Sequence, residues 1–318
     1  MAGQLNLARI SLIGFGEAGG ILGADLAALR GPQVASFDIL FNNPARKCAI
    51  LAKAERAGVH AAASLAEALE GADLVISAVT ASASREVAQS AAHLLKPGQI
   101  FFEINSVSPQ TRRDNCRVIE NAGADYVEAA VMAPVPPQRL KVPMLLGGKR
   151  AGEVAQALSH LGFGATAVAT EVGVAAAIKM CRSIMVKGLE ALTLECMLVA
   201  RRYGAEEAVL KSLHATYPSM GWNAALPDYL ISRVAEHGRR RSEEMLEVVQ
   251  TLLDAGLEPT MATATANVQA WLPKAMEQAG IAYAGEGFSW RRLADALAQA
   301  TSSESEREKS RAVPIGAK

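Results

Sequence analysis

The chain has 318 residues, half of them hydrophobic and a fifth charged, and its 32 basic side chains balance 32 acidic ones to a net charge of zero. Such a length suggests two domains of roughly 150 residues each, and neutrality removes the electrostatic ground for a nucleic-acid or anionic-membrane partner. Four scattered cysteines without a C-x-x-C pair and five histidines without ligand spacing exclude a disulfide framework and the usual zinc motifs. No apolar run nears the roughly 20 residues of a membrane helix and the N-terminus lacks signal-peptide features, so the cytoplasm is expected.

In chain order, the first element is a β-branched strand, Ile10–Ile13, running into "GFGEAGGILGADLAALRG". Gly14, Gly16 and Gly19 stand in a G-x-G-x-x-G frame between that strand and an alanine- and leucine-rich helix. Free backbone N–H groups at such a turn meet a pyrophosphate. Gly14 permits the tight turn, Gly16 lets phosphates near the backbone, and Gly19 lets helix and strand pack; Phe15, Glu17 and Ala18 complete the loop. A second strand, Val34–Phe37, ends at Asp38, placed to bind both ribose hydroxyls and to repel a 2′-phosphate. NAD is therefore the expected cofactor, with Arg46 and Lys47 close enough downstream to keep NADP open.

Further strands are expected at Leu74–Val79, Ile100–Ile104, Tyr126–Val131, Met144–Gly147 and Ala165–Ala169, with helices between them, among others Pro44–Ala57, Ser64–Leu69, Ser82–Leu94 and Pro109–Ala122. This alternation reads as βαβ units in a mostly parallel sheet covered on both faces. Val79 and Thr80 fall at the sheet edge where a doubly wound fold places its ligand, although Thr80 or Ser82 equally suits a helix cap. Asn105 and Ser106 end the strand in "EINSVSPQT", where they either meet a ligand or cap the helix beginning near Pro109.

After Glu171 the strand signals stop. Glu171–Tyr203, Ala205–Leu213, Glu236–Ala255 and Thr260–Gln278 read as helices. The expected organisation is a Rossmann domain over 1–168, a long interdomain helix opening an all-helical domain over 169–301, and a charged, disordered tail over 302–318. Within the helical half, His214, Tyr217, Trp222 and Tyr229 are aromatics that either line a pocket or fill the core. Arg240 and Arg241, beside Glu243 and Glu244, read as a solvated helix face or as a site for an anionic group.

Three motifs, "GFGEAG", "EINSVSPQT" and "EVGVAAAIKMCRS", make the chain resemble the β-hydroxyacid dehydrogenases, relatives of 6-phosphogluconate dehydrogenase. The resemblance covers nearly everything but the tail, and the helical half is similar to a poorly characterised branch. It implies that Lys179 exchanges a proton with the substrate hydroxyl while hydride passes to the nicotinamide, the lysine's free pKa near 10.4 being lowered by burial or a nearby cation such as Arg182. It places Ser106 and Asn105 at the substrate and nicotinamide.

Two departures stand out. Ser183 occupies the position of an asparagine that holds the substrate oxygen, and Met132, Ala133 and Pro134 replace the serine and glycines that cradle a small acid's carboxylate. Met132 is accordingly expected to pack against a larger, less polar substrate.

The expectation is a metal-independent, nicotinamide-dependent dehydrogenase acting on a CH–OH group. Lys179, Ser183, Asn105 and Ser106 would be catalytic, with Met132, Arg182, His214, Tyr217, Trp222 and Arg240 toward a small-molecule substrate. A homodimer through the helical domain is expected from the apolar stretch Gly188–Val199. Imine or ketone reduction in the same fold, and a non-catalytic dinucleotide sensor, are the alternatives.

Overall fold

The computed structural model describes residues 5–311. Its first compact unit runs to Cys181 and takes in Gln250–Gly256; the second comprises Arg182–Val249 and the chain from Leu257 onward.

The first unit is built on eight strands: β1 (Arg9–Ile13), β2 (Gln33–Phe37), β3 (His60–Ala61), β4 (Leu74–Ser77), β5 (Ile100–Glu103), β6 (Asp125–Val131), β7 (Met144–Gly147) and β8 (Ala165–Ala169). They line up as β3-β2-β1-β4-β5-β6-β7-β8, parallel throughout except for the antiparallel β6–β7 pair. The two-residue β3 is the one strand without a sequence signal, since it is too short to show a pattern. β4 and β5 are buried at every residue, as befits central strands covered on both faces.

The helices of this unit are α1 (Glu17–Ala28), α2 (Lys47–Arg56), α3 (Leu65–Leu69), α4 (Ser84–Ala92), α5 (Pro109–Asn121), α6 (Val135–Gln138) and α7 (Ala151–His160). One core under the sheet gathers Leu12, Phe15, Leu22, Leu26, Ile76 and Phe102, and a second gathers Val75, Phe101, Ile119 and Tyr126. The chain order reverses between β1 and β4. A doubly wound sheet opens its ligand crevice at that point, outside the carboxyl ends of the strands.

The long helix α8 (Val174–Arg202) leads from the first unit into the second, followed by α9 (Glu206–Thr216), α10 (Leu226–Asp254), α11 (Thr260–Gln278) and α12 (Trp290–Arg311). The division between units falls inside α8 rather than at residue 168, because a continuous helix carries no composition change to mark it. The second unit's core joins Leu194, Met197, Leu210, Ile231, Val234, Leu272 and Trp290. Gly238 lets α10 and α11 touch, for a Cβ there would run into the Gln269 carbonyl. On α8, Met185, Leu192 and Val199 recur every seven residues and stay 74%, 53% and 56% exposed, with Tyr203 next in line.

Two expectations change here. α10 starts at Leu226, ten residues ahead of the Glu236 read from the sequence, since a proline at its second position suits a helix's first turn. The helical backbone of α12 runs to Arg311, so part of the segment read as disordered tail is helix; residues 312–318 lie outside the described residues.

Candidate active site

The glycine loop is shaped by close approach. Gly14 sits at φ +96°, a left-handed conformation, and a Cβ on it would stand 2.5 Å from the Ala78 carbonyl oxygen. A Cβ on Gly19 would collide with the Gly14 carbonyl, which is how α1 packs onto β1. Gly16 is different: nothing lies within 4 Å of where its Cβ would be. It is the N-cap of α1 and supplies no capping side chain. The open space there and the uncapped helix terminus form a cradle that fits a dinucleotide's pyrophosphate. Glu17 is exposed in the first turn, Ala18 is half-buried, and Phe15 is buried beneath.

Asp38 does more than face the crevice. Its Oδ2 accepts the Phe15 N–H at 2.6 Å and its Oδ1 the Leu40 N–H at 2.8 Å. Each oxygen keeps a lone pair for a ribose hydroxyl, so one carboxylate fixes the loop and is available to read the sugar. Lys53, on α2, holds the loop from the other side, donating from Nζ to the carbonyls of Phe15 at 3.1 Å and Gly16 at 2.6 Å, with its ammonium 5.2 Å from the Phe15 ring centre. The sequence reading missed Lys53, which sits one turn from the end of a helix whose lysines and arginines look alike. Arg46 and Lys47 are exposed.

Replacing Asp38 with asparagine keeps the shape and removes one acceptor. NADH affinity is expected to fall about tenfold more than NADPH affinity, the worth of a hydrogen bond to a charged group, in titrations followed by nicotinamide fluorescence. An equal loss for both would confine Asp38 to holding the loop.

The turn after β5 separates roles that the sequence left joined. Ser108 caps α5, its Oγ accepting the Thr111 N–H at 3.2 Å. Asn105 is buried and its amide is committed: Oδ1 accepts the Val79 N–H at 2.8 Å, and Nδ2 donates to Ser77 Oγ at 3.0 Å and Glu103 Oε1 at 2.9 Å. With both donors bonded internally, Asn105 shapes the strand ends. Ser106 is free of capping duty, and its Oγ accepts from Lys179 Nζ at 2.5 Å. Both residues are half-buried, and both belong to the first unit. Val79 is half-buried, Thr80 is exposed and its hydroxyl lies 3.1 Å from Ser82 Oγ.

Beneath this turn lies a buried charge cluster. Arg112, 1% exposed, donates to the carbonyls of Glu103 at 2.5 Å, Asn105, and Ala129 at 3.0 Å. The Glu103 carboxylate accepts from Ser84, Asn115 and Tyr126 as well as Asn105, and burial with this carboxylate beside it pushes the Tyr126 phenol well above its usual range. On β6, Glu128 Oε1 accepts the N–H groups of Gly173 at 2.7 Å and Ala175 at 3.1 Å, which open α8. Burial raises the Glu128 carboxyl above the ordinary carboxylate range, against the pull of Arg112 and the backbone N–H groups. The loop after β6 carries Met132 and Ala133, both half-buried, and an exposed Pro134. The Met132 N–H goes to the Pro143 carbonyl at 2.8 Å.

The NAD-binding domain of 6-phosphogluconate dehydrogenase matches residues 9–173, the stretch from β1 to the start of α8. The chain belongs to that family. A domain of unknown function (DUF1932) matches residues 200–272 in the helical unit. A conserved hypothetical protein from Sinorhizobium meliloti 1021 is 37% identical, with 93% of this chain and 98% of that one covered at a TM-score of 0.75. The conserved protein MTH1747, of unknown function and described as structurally similar to 3-hydroxyacid dehydrogenases, is 30% identical over 84% of this chain and 97% of its own at a TM-score of 0.67. The Mycobacterium tuberculosis 3-hydroxyisobutyrate dehydrogenase shares the fold, at 16% identity, a TM-score of 0.69 and coverage of 92% and 99%.

As a member of this 6-phosphogluconate dehydrogenase-like family, the chain is a 3-hydroxyacid-dehydrogenase-like oxidoreductase that binds NAD, with NADP admitted. The glycine loop and Asp38 fall inside the matched domain; Lys179 lies just past its end.

Several residues expected at the substrate lie in the second unit. Ser183 is buried and accepts from Lys187 Nζ, a neighbour on its own helix, at 3.4 Å. Lys187 is itself buried against Glu244 at 2.9 Å, and burial lowers its pKa. Arg182 is exposed. Arg240 is exposed and paired with Glu244 at 2.8 Å, the solvated-face reading of that run. Arg241 instead turns in to pair with Glu190. His214 and Trp222 line a cavity of about 210 Å³ with Lys211, Trp290 and Arg291, while Tyr217 and Tyr229 are more than half exposed.

Proposed function

We propose that the protein oxidises an alcohol, or reduces the matching carbonyl, with Lys179 as the group that takes and returns the hydroxyl proton. The observation that carries this reading is the 2.5 Å hydrogen bond from Lys179 Nζ to Ser106 Oγ at the carboxyl end of β5. When bound, the nicotinamide supplies the hydride acceptor. The remaining demand on the protein is a positioned acceptor for one proton, and an amine in its neutral form meets it. Ser106 accepts one hydrogen bond from that amine and can donate its own O–H to a substrate oxygen, since a hydroxyl both donates and accepts. Thr80, Val79 and Asp38 flank the crevice at the ends of β4 and β2.

The loop after β6 supports a bulky, weakly polar substrate. Its Met132 N–H is spent on Pro143, Pro134 has no N–H to give, and the Met132 thioether is a soft, adaptable surface. A short hydroxy acid would find few donors there for its carboxylate. In the second unit, the exposed stripe of Met185, Leu192, Val199 and Tyr203 is the face we assign to a second copy of the chain.

The experiment is reduction of NAD⁺ and NADP⁺, read by absorbance, across alcohols from short hydroxy acids to bulky aryl carbinols. Turnover of the bulky members with NAD⁺ is expected. Turnover confined to short acids would overturn the substrate reading, and imine reduction without any alcohol oxidation would overturn the reaction. Light scattering on the same preparation should return twice the chain mass; a monomer would overturn the pairing.

A further inference from the structure

Lys179 and Ser106 are 73 positions apart in sequence, and neither sits on a segment that could hold the other in place by itself. The buried charge cluster ties down both. Arg112 is bonded to the carbonyl of Asn105, immediately before Ser106, and to those of Glu103 and Ala129. Glu128 accepts two N–H groups at the start of α8, the helix on which Lys179 stands in the second turn. The two charges face each other, Arg112 Nε lying 4.0 Å from Glu128 Oε2.

The path of the Glu128 side chain is built into the sheet. Its cross-strand partner on β7 is Gly147, and a Cβ there would stand 2.5 Å from Glu128 Oε1. A residue directly opposite in an antiparallel pair normally fills that space with its own side chain. Here it is left bare, and the carboxylate reaches the positive end of the α8 dipole.

We propose that Arg112 and Glu128 are positioning residues that set the distance between Lys179 and Ser106. Glu128 seats the first turn of α8, Arg112 fixes the turn after β5, and the charge pair makes one clamp of the two. The inference rests on the proposed role of Lys179 and adds what holds that lysine in register. Displacing a reacting group by about 1 Å costs on the order of 100-fold in rate, so a clamp of this kind bears on turnover without touching substrate.

The test uses the full chain and needs no substrate. Glu128→Ala, Glu128→Gln and Gly147→Ala are compared with wild type by amide hydrogen exchange of residues 173–180 and by the rate at which acetic anhydride labels Lys179, read by mass spectrometry, with NADH affinity as a control. Glu128→Ala should exchange the first turn of α8 roughly tenfold faster, as expected for a lost helix cap, and label Lys179 several-fold faster, with NADH binding unchanged. Glu128→Gln keeps an acceptor oxygen and should recover most of both. Gly147→Ala keeps both charges and crowds the carboxylate, with the Glu171 carbonyl 3.1 Å from the new Cβ, so it carries the test if Glu128→Ala does not fold; it too should label faster. Labelling of Lys179 at the wild-type rate in every folded variant would overturn the clamp, even with faster exchange. A Lys179→Ala chain with full turnover would overturn the proposed function and leave this result standing.

Discussion

Lys179→Ala is expected to lose about 10²–10⁴-fold in kcat for alcohol oxidation, the usual worth of positioned proton transfer, while binding NADH as the wild type does. The two effects separate because the cofactor cradle is built from other residues: Gly14, Gly16, Gly19 and Asp38, with Lys53 behind them. Stability should change little, since Lys179 is only half-buried. Ser106→Ala should cost less, since the amine survives without its anchor. Stopped-flow turnover and fluorescence titration of NADH check both. A Lys179→Ala protein that also fails to bind NADH would place the lysine in cofactor binding and not in proton transfer.

Arg112→Met has the largest expected effect on folding. The guanidinium is buried and serves three carbonyls and two carboxylates at once. Methionine fills a comparable volume and makes none of these bonds. Removing one partner of a buried charge set typically costs about 3–5 kcal/mol, mostly the penalty on the charges left behind.

The loss should depend on pH, with a definite sign. Burial already holds the Glu128 carboxyl above the ordinary carboxylate range, and without Arg112 it rises further. A carboxyl whose folded pKa exceeds its unfolded value contributes stability that is present at low pH and disappears as pH climbs through the folded pKa. The gap between variant and wild type in urea midpoint should therefore be wider at about pH 8 than at about pH 5. An equal gap at both values would mean that the lost hydrogen bonds, and not the stranded charges, dominate.

Much of the first unit was legible because its signals are local. The strand spans, the glycine frame and the acid at the end of β2 follow from short-range pattern, and the mostly parallel sheet follows from the alternation of strands and helices. Lys179 was reached through a motif. The clamp beneath it was passed over although its traces are in the sequence. Glu103 and Glu128 are carboxylates inside otherwise apolar strands, "IFFEI" and "YVEAAV". Arg112 falls on the same helical stripe as Cys116 and Ile119, which are buried, whereas its neighbour Arg113 does not. A charge on a buried stripe opposite two strand carboxylates is a signal of pairing, but only tertiary structure says which arginine meets which acid.

Asn105 shows the converse. Its motif pointed to a ligand, and its amide is bonded to Val79, Ser77 and Glu103, because buried polar groups must find partners wherever the fold provides them. In the helical unit the helices were legible without their ends. α10 and α12 are fixed by packing of Ile231, Val234, Trp290 and Leu293, which leaves no mark at the helix termini, and α8 passes between units without a break.

In the proposed mechanism the Lys179 amine accepts the substrate proton. Chemical rescue tests it most directly: turnover of Lys179→Ala with NAD⁺ and the best alcohol, measured as methylamine and amines of graded basicity are added. Turnover should rise with amine concentration and with amine basicity, while NADH affinity stays constant. A folded, NADH-binding Lys179→Ala protein that no amine restores would contradict the assignment.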